Sequence, residues 1–458
     1  MELNEERKKE GHKLERHMFS NKALWKLMAP LAFDQLLNSM MGTVGTMVVS
    51  NLGSAAISAV SLVDAINVLI VQAFYALAAG GTVVCSQYIG CKKEEQANEA
   101  ARQLVFITTG LSLLIAIICL AGNAAILHLI FGEVEPKVME YSRQYFVISA
   151  ISYPFIALYD DGSSIFRAQE NSKTPMMISL WANILNLVLN VIFVWGLHME
   201  VIGSATATML SRAFSMVAVL YLLRRPKLII CLRDYLSIRP DWGQIRRILY
   251  LGVPSGIENS MFQFGKLALQ STVSMMGTAA IAAQGMTNIL ENLNGILAIG
   301  IGVGLMTVVG ECMGAGRKDE AVYYMKKMTA VAEVVVIASC LLVFVLVHPI
   351  TVLGGMEAKS AKLCIFMVGA ITIVKPIVWS LAFIPAYGLR AAGDVKFTMI
   401  ASALSMWLCR VTLAMFLARV LGFGPIAVWI GMFTDWTVRA IIFSVRFKRG
   451  KWMEHQVI

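Results

Sequence analysis

An all-α polytopic membrane protein, with twelve transmembrane helices in two six-helix lobes related by an internal parallel repeat, is the fold class that the sequence predicts. Three observations predict it. The 458 residues are 57% hydrophobic and only 15% charged, whereas a soluble chain carries about 25% charged residues. Apolar runs of bilayer-spanning length recur from end to end. Segments of the first half also return in the second half at a nearly constant offset.

The spans fall at 23–47, 55–80, 101–122, 141–161, 174–196, 202–223, 246–273, 280–305, 327–347, 362–386, 397–418 and 424–445. The polar segment 1–22, with Arg7, Lys8, Lys9, Lys13 and Arg16, has the charge of a signal n-region. The run that follows it is full length and lacks a small-residue cleavage site, so it reads as a retained first span. Of the 39 lysines and arginines, 29 lie in the two tails and in the loops after even-numbered spans. The alternate loops hold only Lys137, Arg143, Lys359, Lys362 and Arg419. By the positive-inside rule both termini are cytoplasmic, and the net charge of +10 reports membrane topology rather than nucleic-acid binding.

The longest polar stretch, with Pro226 and Pro240, divides the chain. The expected organisation is a cytoplasmic tail at 1–22, an N-lobe at 23–223, a cytoplasmic linker at 224–245, a C-lobe at 246–446 and a cytoplasmic tail at 447–458. Gly53-Ser-Ala-Ala-Ile-Ser-Ala59 answers Gly277-Thr-Ala-Ala-Ile-Ala-Ala283 at an offset of 224. Gly90, Lys93, Glu95 and Ala97 answer Gly314, Arg317, Asp319 and Ala321 in the same register. The segment Phe166 to Met176 answers Leu389 to Met399 at an offset of 223. Six spans per half keep both halves in one orientation, so the repeat axis lies along the membrane normal and a cavity between the lobes can open to either side by rocking.

The eight cysteines contain no C-x-x-C pair, and most lie in or beside apolar runs as small hydrophobes. The six histidines have no ligand spacing with them. With no metal-ligand pair, nucleophile elbow or phosphate loop, no catalytic residue, firm metal site or cofactor is expected, and an enzyme is disfavoured.

Two stretches stand out: Pro30-Leu-Ala-Phe-Asp34 and, 224 residues later, Pro254-Ser-Gly-Ile-Glu258. Each puts a carboxylate one helical turn after a proline inside an apolar span, where an ionisable group is costly and by default functional. Asn38 shares a helix face with Asp34, as Phe262 and Lys266 do with Glu258. Competition of a proton, a sodium ion or a cationic substrate for one such carboxylate suffices for exchange. The competing reading is structural: the acids tie helices together through buried bases such as Lys266, Lys375, Arg212 or Arg410. Asp160-Asp161 is expected at the cytoplasmic interface of the fourth span.

Asn183, Asn186 and Asn190 form one stripe on the fifth span, either an ion or substrate lining or helix–helix glue. In the second span Asp64 and Asn67 have offset partners Asn288 and Glu291 in the eighth. Gln284 extends that stripe, and all five read as cavity lining against interlobe packing. The 27 methionines and 9 tryptophans suit a deformable cavity, although most such residues face lipid or core.

Ser86-Gln-Tyr-Ile-Gly90, its echo Gly310-Glu-Cys-Met-Gly-Ala-Gly316, and the two Arg-Ala…Lys segments resemble the MATE family of multidrug and toxic-compound extrusion transporters, over nearly the whole chain. The resemblance implies a two-lobe antiporter of the inner or plasma membrane that expels cationic amphipathic compounds against inward-running H+ or Na+. It further implies that the first and fifth helices are neighbours; the Arg-Ala…Lys segments themselves read as a cap or gate on the cytoplasmic side. Asp34 could then complete a sodium site with Asn186 and Asn190.

The chain departs from many relatives: the acid late in their first helix falls here in Gly42-Thr-Val-Gly45-Thr46. The aspartate of their fifth-helix series becomes Asn190, and a seventh-helix glutamate of some subgroups falls near Phe262. These losses tilt the expectation toward protons. The expected partners are small organic cations and membrane lipids, with no nucleic acid, in a monomer. The alternative within transport is a lipid-linked oligosaccharide flippase, which would favour the basic Lys266, Lys375, Arg212 and Arg410.

Overall fold

The computed structural model describes residues 17–50, 52–132, 135–233, 235, 239–455 and 457–458, with the backbone alone for 40–47, 49 and 50. The basic residues expected in the tail up to Arg16, and the side chains of Gly42 to Thr46, lie outside the described residues. Twelve long helices run in the expected order. The first six are α1 (Asn21–Ser50), α2 (Ser54–Gly90), α3 (Glu94–Ala121), α4 (Pro136–Ala168), α5 (Lys173–Gly196) and α6 (Glu200–Leu222). The second six are α7 (Trp242–Ser274), α8 (Thr278–Gly314), α9 (Lys318–Leu353), α10 (Ala358–Ala391), α11 (Val395–Arg419) and α12 (Ile426–Arg449). A short helix at Asn123–Phe131 joins α3 to α4.

Helix ends differ from the apolar runs because the helices continue past them. α2 and α8 are each 37 residues long and extend about ten residues beyond the expected spans. Both begin after a glycine with positive φ, Gly53 at 101° and Gly277 at 92°, a conformation that disfavours a side chain. The duplicated motif at 53 and 277 is therefore a duplicated helix start. α7 starts four residues before the expected 246, where the Asp241 carboxylate accepts hydrogen bonds from the Gly243 and Gln244 amides. α4 runs to Ala168 rather than 161, which carries Asp160 and Asp161 inside the bundle.

Among the described residues, nine helices are apolar enough by themselves to cross a bilayer. The other three long helices, α1, α4 and α7, carry Asp34, the Asp160–Asp161 pair with Arg167, and Glu258 with Lys266. All three line the molecular centre. α3 and α9 instead turn Leu114, Ile117, Val334 and Val345 outward, an apolar surface suited to lipid tails.

The lobes meet along α2 with α7 and α1 with α8, and they close tightly where α2 and α8 end. A side chain at Gly90 would lie 2.2 Å from the Glu311 carbonyl oxygen, and one at Gly314 would lie 2.0 Å from that of Gln87. The Cys91 thiol donates to the Gly314 carbonyl at 2.8 Å, and Gln87 Nε2 donates to the Ala391 carbonyl at 2.7 Å. Glycine is required here so that two backbones can touch, which accounts for its doubling in the repeat. All eight cysteines are free.

Gly314→Val is expected to destabilise this closure by roughly 1–3 kcal/mol through overpacking. Gly110→Ala, which adds a methyl in open space on α3, is expected to be neutral or stabilising by up to about 1 kcal/mol. Thermal unfolding of the purified protein, followed by tryptophan fluorescence, separates the two.

Candidate functional site

A cavity of about 740 Å³ lies between the lobes. Its walls come from α1, α2, α4, α5 and α6 on one side and α7, α8, α10, α11 and α12 on the other; among the described residues α3 and α9 contribute none. The volume is in the range of ordinary small-molecule pockets.

Asp34 and Glu258 both reach this cavity and are buried, at 4% and 8% exposure. Glu258 is held by Arg390 of α10, whose Nη2 donates to Oε1 at 2.6 Å. Its partner is therefore none of the four bases expected from the sequence. Asp34 lies within the electrostatic reach of Arg167 on α4, the N-lobe counterpart of Arg390 at the 223-residue offset. Oδ1 of Asp34 and Oε2 of Glu258 each lack a hydrogen-bond partner among the described residues.

Arg167 and Arg390 fall outside the expected spans, which end at 161 and 386. Both occupy the last turns of long helices and line the cavity, while the carbonyls of Arg167 and Ala391 accept from Thr307 and Gln87 at the closed end. The signal was present in the repeat itself; the spans had been ended one to two turns too early. Asp160, expected at the interface, also lines the cavity, while Asp161 is fully buried and accepts from the Thr108 hydroxyl at 3.3 Å.

On the N-lobe wall Asn38 accepts from the Ser179 hydroxyl at 3.4 Å, tying α1 to α5. α1 and α5 pack side by side, as the resemblance implied. Asn183 and Asn186 face the cavity, and the Asn186 amide donates to Thr208 at 3.3 Å. Asn190 lies behind the wall, fully buried, donating to Asn186 Oδ1 at 3.1 Å. Its own Oδ1 has no partner among the described residues.

Asp64 lines the cavity, whereas Asn67 stands behind it, bridging Asp64 at 3.2 Å, Ser149 at 3.3 Å and the Tyr153 hydroxyl at 2.8 Å. Asn67 is thus a positioning group for the acid rather than lining.

On the C-lobe wall Glu291 is paired with the fully buried Lys375 at 2.6 Å. Phe262 and Lys266 line the cavity as expected. Gln284 and Asn288 do not: Gln284 donates to Asn288 at 3.4 Å and accepts from the Trp429 indole at 2.9 Å, deep between helices. In place of the expected lining role, Gln284 ties α8 to Trp429 of α12 and Asn288 braces Gln284. Arg410, Asp435 and Arg439 form a further charged group, with Arg439 Nε 2.7 Å and Arg410 Nη1 3.9 Å from the Asp435 carboxylate. The lobes also touch through Asn259, whose amide donates to Gln72 at 3.4 Å.

Comparison with known proteins agrees with this architecture. The MatE family model matches residues 30–192 and again 254–416, so its two copies stand 224 residues apart, the register of the repeat. The "Uncharacterized transporter YisQ" of Bacillus subtilis is 25% identical, covering 94% of this chain and 95% of that protein. The "Probable multidrug resistance protein NorM" of Thermotoga maritima is 23% identical, covering 95% and 94%. A solved structure of a "MOP superfamily transporter from Pyrococcus furiosus", described as having a "reverse polarity of binding pocket", superposes with a TM-score of 0.87 at 18% identity, covering 95% of this chain and 97% of that one. Twelve helices in two repeated lobes around one shared cavity, with a family model fitting each lobe, place this chain in the MatE family of multi-pass membrane transporters.

Proposed function

We propose that this protein is a cation-coupled antiporter that exports amphipathic organic cations across the cell membrane by alternating access between its lobes. The name of a rabbit (Oryctolagus cuniculus) relative, "Multidrug and toxin extrusion protein 1", supports the efflux direction. The observation that carries the reading is that Asp34 and Glu258, equivalent in the repeat, reach one cavity and each keep an unbonded carboxylate oxygen. A buried carboxylate with one idle acceptor gains from binding a proton, a sodium ion or an organic cation, and the three compete for the same oxygen. Release of one on the arrival of another is exchange.

The lobes are sealed where α2 and α8 end, which is also where the loops rich in lysine and arginine converge. With those loops and both termini on the cytoplasmic side, the cavity is closed to the cytoplasm and faces outward. The glycine seam is the contact that rocking would break. The proton is the favoured coupling ion, since the unbonded oxygen of Asp34 can accept one without further ligands. A sodium site at Asp34, Asn186 and Asn190 is the second reading, favoured by the unbonded Asn190 Oδ1.

Ethidium transport in inverted membrane vesicles, energised separately by a proton or a sodium gradient, tests the assignment. Asp34→Asn or Glu258→Gln is expected to reduce gradient-driven transport to nearly the level of vesicles lacking the protein. Wild-type rates in both variants would remove coupling from these acids.

Stability measurements separate a coupling role from a tie between helices. Arg390→Gln leaves Glu258 as an unpaired buried charge and is expected to cost about 3–5 kcal/mol. The double variant with Glu258→Gln should recover part of that loss, by roughly 1–3 kcal/mol in a double-mutant cycle read from thermal unfolding.

A further inference from the structure

The two walls of the cavity differ in charge, and the difference is greatest around one aromatic ring. On the C-lobe wall, Glu258 is matched by Arg390, Glu291 by Lys375, and Asp435 by Arg439 at the shorter of its two contacts. Two cations remain. Arg410 holds Asp435 only at 3.9 Å and leaves its buried Nε without a partner, and Lys266 has no acid within ion-pair distance among the described residues. Both stand over Phe262, Lys266 Nζ at 4.8 Å and the Arg410 guanidinium at 5.1 Å from the ring centroid. All three side chains line the cavity.

The duplication supplies an internal control. Phe262 and Lys266 stand 224 residues after Asn38 and Gly42, and Arg410 stands 224 after Asn186 or, at the 223 offset of the preceding segment, after Leu187, so by either register the N-lobe has no charge at these three positions. The cations are not something the fold requires. Arg410 also lies in a π-helical stretch of α11, Ser405–Thr412, whereas Asn186 and Leu187 lie in regular α-helix. Such widened turns recur at functional sites because they re-aim a side chain. The facing N-lobe wall carries Asp34, Asp64 and Asp160 against Arg167 and Arg212, so the cavity is acidic on one side and basic on the other.

We propose that Lys266, Arg410 and Phe262 form a subsite for the anionic group of a soluble amphiphile, the transported molecules being zwitterions whose carboxylate meets these cations while their cationic end meets the N-lobe acids. A planar carboxylate receives charge-assisted hydrogen bonds from Arg410 and Lys266, and the Phe262 ring packs against the apolar body beside it. The inference rests on the transport reading but extends it to the second pole of the substrate.

The test uses two dyes that differ in one group. Rhodamine 110 carries a free carboxylate, and rhodamine 123 is its methyl ester, with the same cationic ring system. Their affinities for the full-length protein in phosphatidylcholine nanodiscs are measured by fluorescence polarisation. Wild type is expected to bind rhodamine 110 about tenfold more tightly than rhodamine 123. Lys266→Gln and Arg410→Gln should bring that ratio close to one, and Lys266→Arg should keep it. A monodisperse size-exclusion profile and retained binding of either dye identify a folded variant.

Equal affinities in wild type, or a ratio unchanged by Lys266→Gln, would overturn the subsite. So would loss of rhodamine 110 binding when phosphatidylglycerol is added, which would reassign these cations to a lipid headgroup. Gradient-driven transport of rhodamine 123 without carboxylate preference would sink the subsite alone. Carboxylate-selective binding without gradient-driven transport of either dye would sink the coupling reading and leave the subsite standing.

Discussion

A charge placed inside a hydrocarbon layer must be met by another charge, by a hydrogen-bonding group or by water, and the arrangement of this protein follows from that demand. The ion pairs at Glu258, Glu291 and Asp435 all lie between helices or on the cavity wall. The helices too polar to cross a bilayer on hydropathy alone are those that carry Asp34, Asp160, Arg167, Glu258 and Lys266. They are tolerated because the other helices shield them from lipid. The cavity is where twelve helices of unequal polarity can be packed without leaving a charge against an acyl chain.

A second constraint sets how the lobes join. Hydrophobic burial drives helices together weakly when the surroundings are lipid, so close backbone contact has to supply the adhesion. Gly90, Gly310 and Gly314 provide it: a side chain on any of them would come within 2.2 Å of an atom on the other helix. Close approach continues along α2 with α7, where Gly80 faces the Gly252 backbone, and along α1 with α8, where Gly300 faces Ala32. The glycine seam at the ends of α2 and α8 is the tight end of that longer interface.

The fold was legible because apolar runs and loop charges are properties of the chain that survive without any knowledge of packing. The twelve spans and the register of the duplication follow from them directly. The ends of the helices did not, since hydropathy reports where lipid begins rather than where a helix stops. That error hid Arg167 and Arg390, which lie past the apolar runs but within their helices. The candidate site was legible as a set of residue types at depth, Asp34, Asp64, Glu258 and Glu291 among them. Which face each residue turns to was not. Gln284 and Asn288 share a stripe with Glu291, but they lie nearer the start of α8, where the Trp429 indole covers Gln284.

Duplication followed by divergence explains why the two walls are alike in plan and unlike in charge. The acid one turn after a proline and the arginine at the end of the fourth helix of each lobe are retained in both copies, which ties them to something both lobes do. Lys266 and Arg410 occur in one copy only, where the other has Gly42 and Asn186 or Leu187. The second lobe meets part of their cost itself, through Asp435 near Arg410 and the Phe262 ring under both cations. The first lobe packs its equivalent helices without them, so the remaining cost of burying two cations is what a bound group of opposite charge would offset.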